Sequence, residues 1–199
     1  MFRAATVVVS LVTITLAATA ALGQTAPPKV DKVSVTKGDM VVAGTPVTGA
    51  VSYAADAYVN GAKVAGATST SSTVTIPASF LPPNTAVQVQ MRALNSQGQT
   101  SAPSAAVAAM TGPAKTTGVT GTPGKNRISI SWQPAAGAAS YQVTLSNGMS
   151  FTTTSTSYVV TGLPTAASFN CIVWASNSAG QGPPSDVVVV KTANIMTLD

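Results

Sequence analysis

The chain has 199 residues and a formal charge of +5, from ten Lys/Arg against five Asp; 45% of residues are hydrophobic and only 8% charged. It has no His, no Glu and one Cys, which excludes a His-centred triad, a His/Cys zinc cluster and an intrachain disulfide. The basic residues are scattered without a stripe, which argues against a nucleic-acid partner, and the length suits two small domains of ~100 residues.

Residues 1–23 stand apart. Arg3 is their only charge, Ala4 to Leu22 is uncharged and mostly apolar, and Ala21-Leu22-Gly23 places small residues where a signal peptidase would read before Gln24. These are the three regions of a secretory signal peptide. The apolar run also approaches the ~20 residues of a membrane span. The β-branched stretch Thr6–Thr15 would equally suit a strand in a protein that keeps its leader. Pro27-Pro28 then breaks the chain.

Beyond the leader, short apolar runs alternate with Gly, Pro, Ser and Thr, and no stretch of a dozen residues holds a helical period. Such spacing predicts short strands in a sandwich or barrel. The pattern is duplicated. Pro46…Gly49…Tyr53 recurs as Pro134…Gly137…Tyr141 at an offset of 88. Leu81-Pro82 and Ala93-Leu94-Asn95 recur as Leu163-Pro164 and Ala175-Ser176-Asn177 at an offset of 82, so the first copy holds six extra residues between Tyr53 and Leu81. The division falls near Thr111-Gly112-Pro113. The expected organisation is a leader at 1–23, one unit at 28–112, a second at 113–192 and a tail at 193–199.

Period-two alternation assigns the faces. In the second unit Ile128, Ile130 and Trp132 share an inward face, as do Tyr141, Val143 and Leu145, and then Phe169, Cys171, Val173 and Ala175. The first unit's inward set is Met40, Val42, Tyr53, Val87, Val89, Met91 and Ala93, with Gly44 standing where the second has Trp132 and Val87 where it has Phe169. This smaller set predicts a less stable first unit. Gly180-Gln181-Gly182-Pro183-Pro184 reads as a turn before the last strand, Val187–Val190.

Trp132, Pro134…Gly137…Tyr141, Leu163-Pro164-Thr165, Ala175-Ser176-Asn177 and Gly180–Ser185 together resemble a fibronectin type III domain, across about 75 residues in the expected order. The first unit resembles a degenerate copy. The resemblance implies an all-β fold of two tandem immunoglobulin-like sandwiches after the apolar leader. It also implies a Tyr where this chain has Phe169. That Tyr hydroxyl bonds back to the corner before its strand. Phe169 keeps the apolar body and loses the bond, and the fold is expected to survive.

The candidate contact residues lie on the other face of the long strand. Phase from Phe169 turns Asn170, Ile172, Trp174 and Ser176 outward, and two Val of the last strand turn out beside them. Ile172, Trp174, Val187 and Val189 thus form a candidate apolar contact patch. The competing reading packs Trp174 under a loop or against the first unit; sugar stacking is a third. Cys171 shares the core phase and reads as inert. Asp56 and Asp186 have no acidic neighbour and read as solvated turn or strand-edge residues, so neither a metal site nor a cofactor is expected. No constellation supports catalysis.

The expected function is therefore a non-catalytic structural or binding protein. One version is exported to the cell surface or medium, where it contacts protein or glycan; a membrane enters only through an uncleaved leader. The other is a structural subunit of a large assembly, such as a bacteriophage capsid decoration or tail protein. There the N-terminal segment would be embedded in a neighbouring subunit, the partners would be assembly neighbours, and the location would be the virion. The leader's three regions favour export.

Overall fold

A computed structural model describes residues 26–194. The expectations placed on the leader lie outside the described residues, as does most of the tail.

The first sandwich contains β1 (Val30–Thr36), β2 (Asp39–Gly44), β3 (Ala50–Val59), β4 (Ala62–Ser69), β5 (Thr73–Ile76), a single 3₁₀ turn (Ala78–Phe80), β6 (Ala86–Asn95) and β7 (Val107–Met110). β1, β2 and β5 form one sheet, and β4-β3-β6-β7 the other. Strand period dictates the core: Met40 and Val42 of β2 are buried alternately, as are Val87, Val89, Met91 and Ala93 of β6. Two tight hairpins follow from turn chemistry. Lys37-Gly38 and Asn60-Gly61 all take positive φ, as a two-residue hairpin turn requires.

The second sandwich repeats the order with β8 (Thr120–Gly124), β9 (Arg127–Ser131), β10 (Ser140–Leu145), β11 (Ser150–Thr153), β12 (Ser157–Thr161), β13 (Ser168–Asn177), β14 (Gly180–Pro184) and β15 (Val188–Lys191). β8-β9-β12 form the small sheet. In the larger one β11, β10 and β13 run side by side, and β13 pairs with both β14 and β15. The six extra residues of the first copy lengthen its central hairpin: β3 and β4 have ten and eight residues, where β10 and β11 have six and four.

Each sandwich has its own core. Met40, Tyr53, Ile76 and Met91 anchor the first, and Ile128, Trp132, Tyr141 and Phe169 the second; no member of either lies between Ala109 and Val119. Trp132 packs tilted on Tyr141, with ring centroids 5.4 Å apart. In the first core Gly44 takes the Trp132 position. A Cβ there would lie 2.8 Å from Met91 Sδ, so the Met91 side chain occupies space that a larger residue at 44 would need. Both Tyr hydroxyls accept a backbone bond from six residues upstream: Val47 N to Tyr53 at 2.8 Å, Ala135 N to Tyr141 at 3.0 Å. The repeated Pro-to-Tyr run thus encodes one turn in both copies.

The sandwiches are joined edge to edge. β1 pairs in parallel with β14 at Val35 and Gly180, so the small sheet of the first sandwich continues the large sheet of the second. Gly38 N donates to Gln181 O at 2.7 Å. Asn177 Nδ2 donates to Thr111 O at 3.1 Å and to Asn84 Oδ1 at 3.2 Å. Gly137 is closed down on Asn84, and a Cβ at Gly137 would fall 2.2 Å from the Asn84 Cβ.

One local expectation is corrected. Gly180–Pro184 is a strand, β14, and the turn comes earlier. Asn177 Oδ1 accepts from Ala179 N and Gly180 N, closing the turn at the end of β13. Pro183 and Pro184 have no N–H for a ladder. Ser185 resumes it, with its N donating to Val173 O and its Oγ accepting from Val173 N, both at 2.9 Å.

Candidate functional site

The outer face of β13 and β15 holds the candidate contact residues. Val189 lies beside Asn170 and Val188 beside Cys171. Because Ser185 is bonded to Val173, Asp186 and Val187 together oppose Ile172, a bulge that leaves the Val187 side chain outside. Val187 is 53% exposed and Val189 66%, whereas Val190 is buried in the core. Ile172 is half-buried between them and the neighbouring strand. These three make the open part of the surface.

Trp174 is set apart from that open part. It lies beside Pro184 on β14 and Gln142 on β10, and it is half-buried. Lys37, from the β1–β2 turn of the first sandwich, holds its ammonium 5.7 Å from the ring centroid. A cation over the indole face is attracted by the ring quadrupole. Trp174 therefore serves the joint as well as the rim of the exposed face. Lys37 is far from Trp174 in sequence, and only the Gly38 turn beside it signalled anything locally.

Asp56 corrects a second expectation. It lies mid-strand in β3 and is buried, not solvated. Lys63 Nζ sits 2.5 Å from its Oδ1 and Arg92 Nη1 3.3 Å from its Oδ2. Gly66 makes the room, since a Cβ at 66 would lie 2.5 Å from the carboxylate. This arrangement neutralises a buried charge with its two partners, and both carboxylate oxygens are taken up. Asp186 is exposed, as its turn reading anticipated, and pairs with Lys115 at 2.6 Å.

Cys171 is buried, and desolvation raises its thiol pKa above the ordinary 9.0. Among the described residues no group of three His, Cys, Asp or Glu stands close enough to hold a metal ion, and no helix is long and apolar enough to cross a membrane. An apolar cleft of about 370 Å³ lies at the joint, lined by Leu81, Pro82, Pro83, Pro113, Lys115 and Pro183 among others.

A feature that sequence reasoning missed ties the corner before β13. Buried Thr192 donates its hydroxyl to Pro164 O at 2.7 Å and accepts from Ala167 N at 3.0 Å. Thr111 does the same in the first sandwich, donating to Pro82 O at 2.7 Å and accepting from Thr85 N at 2.7 Å. The signal was a Thr recurring after the last strand of each copy.

Residues 113–191 match the family model of the fibronectin type III domain. The second sandwich is a fibronectin type III domain. In this fibronectin type III domain the corner that a Tyr hydroxyl commonly secures is held instead by Thr192, which lies across from Ala167, two residues before Phe169. The crystal structure of the FN1–FN3 domains of chicken CNTN1 is similar at 22% identity, covering 85% of this chain and 68% of that one, with a TM-score of 0.40. No curated protein matches the sequence.

Proposed function

We propose that the protein is a non-catalytic binding module of two tandem sandwiches, residues 28–112 and 113–192, exported to the cell surface or medium. We propose further that it contacts a protein partner through Ile172, Val187 and Val189, with Trp174 at the rim. The observation that carries this reading is the exposed apolar stripe on β13 and β15, where Val187 and Val189 are 53% and 66% exposed. Fibronectin type III domains are typically non-enzymatic scaffolds, which supports the class, and exposed contiguous apolar side chains mark contact surfaces. The proposed route of export rests on the three regions of residues 1–23.

Two measurements test it. A photo-crosslinking residue at position 189, introduced in the native source, is expected to give adducts that the same residue at Val159 does not give. Equal adducts, or none at 189, overturn the contact surface. Intact mass with N-terminal sequencing is expected to show a start near Gln24. A full-length chain overturns cleavage and favours the second reading, an assembly subunit whose β-branched Thr6–Thr15 stretch is embedded in a neighbour.

A further inference from the structure

β13 carries two strands along one side. β14 covers the C-terminal part of that side and is itself covered by β1 of the first sandwich. β15 covers the N-terminal part, and among the described residues its own far side pairs with no strand. The direction of its free backbone groups follows from register. Thr192 N donates to Ala167 O at 2.9 Å, so bonding to β13 falls on alternate residues, at Val190 and Val188. Val189 and Lys191 therefore point their N–H and C=O groups away from β13.

This edge carries its protection only towards its ends, in the bulge at Asp186–Val187 with the Thr116–Val119 segment beside it, and in Lys191. No charge or proline interrupts Val187-Val188-Val189-Val190, whereas soluble proteins blunt such edges with Lys, Pro or a covering segment. The charges sit at the ends. Asp186, with its side chain 88% exposed and its Oδ1 held by Lys115 at 2.6 Å, precedes the strand with its other oxygen unshared by any described ion pair, and Lys191 closes it. Antiparallel self-pairing centred on Val189 sets each Lys191 opposite the second copy's Val187 and next to its Asp186. Parallel pairing would stack Lys191 on Lys191. The edge is thus complementary to itself in one orientation and one register. β7, the counterpart in the first sandwich, offers no such pair: Val107–Met110 is uncharged, and so are the residues that flank it.

We propose that the protein forms a two-fold homodimer by antiparallel pairing of β15 with β15 of a second copy about Val189, making one sheet across both chains. The inference rests on the contact-surface reading above and extends it to the edge beside that face, where Val187 and Val189 of one copy meet those of a second copy. Sedimentation velocity on the full chain over a range of concentrations is expected to show a species of twice the chain's mass. Val189→Lys sets two ammonium groups across the axis and is expected to abolish that species; its far-UV circular dichroism should be unchanged, because Val189 is largely exposed. Val189→Cys is expected to yield a disulfide-linked dimer on oxidation, since directly opposed Cα atoms lie about 5.5 Å apart, within disulfide reach. Val159→Cys, exposed on β12, is expected to stay monomeric. Lys191→Asp is expected to lose the dimer, and adding Asp186→Lys to restore it. A monomer at every concentration, or a dimer that Val189→Lys leaves intact, overturns the proposal. A monomeric chain whose position 189 still crosslinks to a different protein removes the dimer and keeps the contact surface; a monomer with no adduct removes both.

Discussion

Phe169 leaves the corner before β13 without the hydroxyl that a Tyr would bring, and Thr192 supplies one from the other side of the strand pair. The replacement works because the corner needs a buried donor for Pro164 O and an acceptor for Ala167 N, and one hydroxyl is both. Thr192→Val keeps the shape and strands both groups. It is expected to destabilise the second sandwich by about 1–3 kcal/mol, read from chemical denaturation, with Thr192→Ser retaining most of the loss-sensitive stability. Cys171 gives a pH signature. Burial holds its thiol above the ordinary thiol value in the folded chain, and unfolding removes that desolvation. As pH rises past 9 the unfolded state releases its proton first and binds fewer protons than the folded state, so stability falls. Denaturation midpoints are expected to decline from pH 8.5 to 10 (about the range set by that ordinary value) more steeply than in Cys171→Ala. In the native state at pH 8 the thiol is expected to resist alkylation.

At the scale of elements, the two copies reach one architecture with different fillings. Trp132 with Val173 in the second core corresponds to Gly44 with Met91 in the first, where the flexible thioether fills what the indole would. Gly44 is therefore constrained by space: a Cβ there meets Met91 Sδ and Lys29 O, both at 2.8 Å, and the carbonyl belongs to backbone that cannot rotate away. Gly44→Ala is expected to cost about 1–3 kcal/mol as an overpacking change, measured by thermal or urea unfolding. Met91→Ala costs about 2–5 kcal/mol by itself as a cavity, and because it relieves the contact with sulfur the double variant is expected to lose less than the sum of the two single losses. β3 shows the limit of the alternation rule. Its outward residue Asp56 is buried because Lys63 and Arg92 close over it and Gly66 leaves the gap.

Across the whole molecule, the joint decides how the sandwiches behave together. The β1–β14 pairing, the Gly38–Gln181 bond, the Asn177 amide and the Lys37–Trp174 contact all cross it. The first core has no Trp or Phe, and for that reason it is expected to be the less stable of the two. Contacts across the joint are expected to act on the first sandwich like a bound ligand. Gly137→Val drives a side chain into Asn84 and imposes a positive φ on a branched residue. It is expected to lower the first sandwich's unfolding temperature in the full chain toward that of isolated 28–112. Differential scanning calorimetry would read this as one transition splitting into two. Gly49, the repeat's counterpart, faces open space, and Gly49→Val carries the backbone strain without the clash.

Most strand positions and the apolar cores were legible in the sequence because period-two alternation is a local property: inward sets such as Ile128-Ile130-Trp132 and Val87-Val89-Met91-Ala93 are written in alternate residues of one short segment, whereas the proline-broken β14 read as a turn. The doubled Pro…Gly…Tyr and Leu-Pro runs showed the repeat for the same reason. Phase also indicated that Ile172 and two Val turn outward. It could not show that Asp186 and Val187 form a bulge, because a bulge depends on how Ser185 bonds to a strand twelve residues earlier. Nor could it show Lys37 over Trp174, the pairing of Asp56, or the hydroxyl of Thr192 reaching Pro164. Each joins residues distant in the chain, and their meeting is set by how sheets stack and how two sandwiches dock. Sequence alone determined which apolar side chains leave water; tertiary structure decided which polar and charged groups are buried and which of them meet, since that requires distances no local pattern encodes.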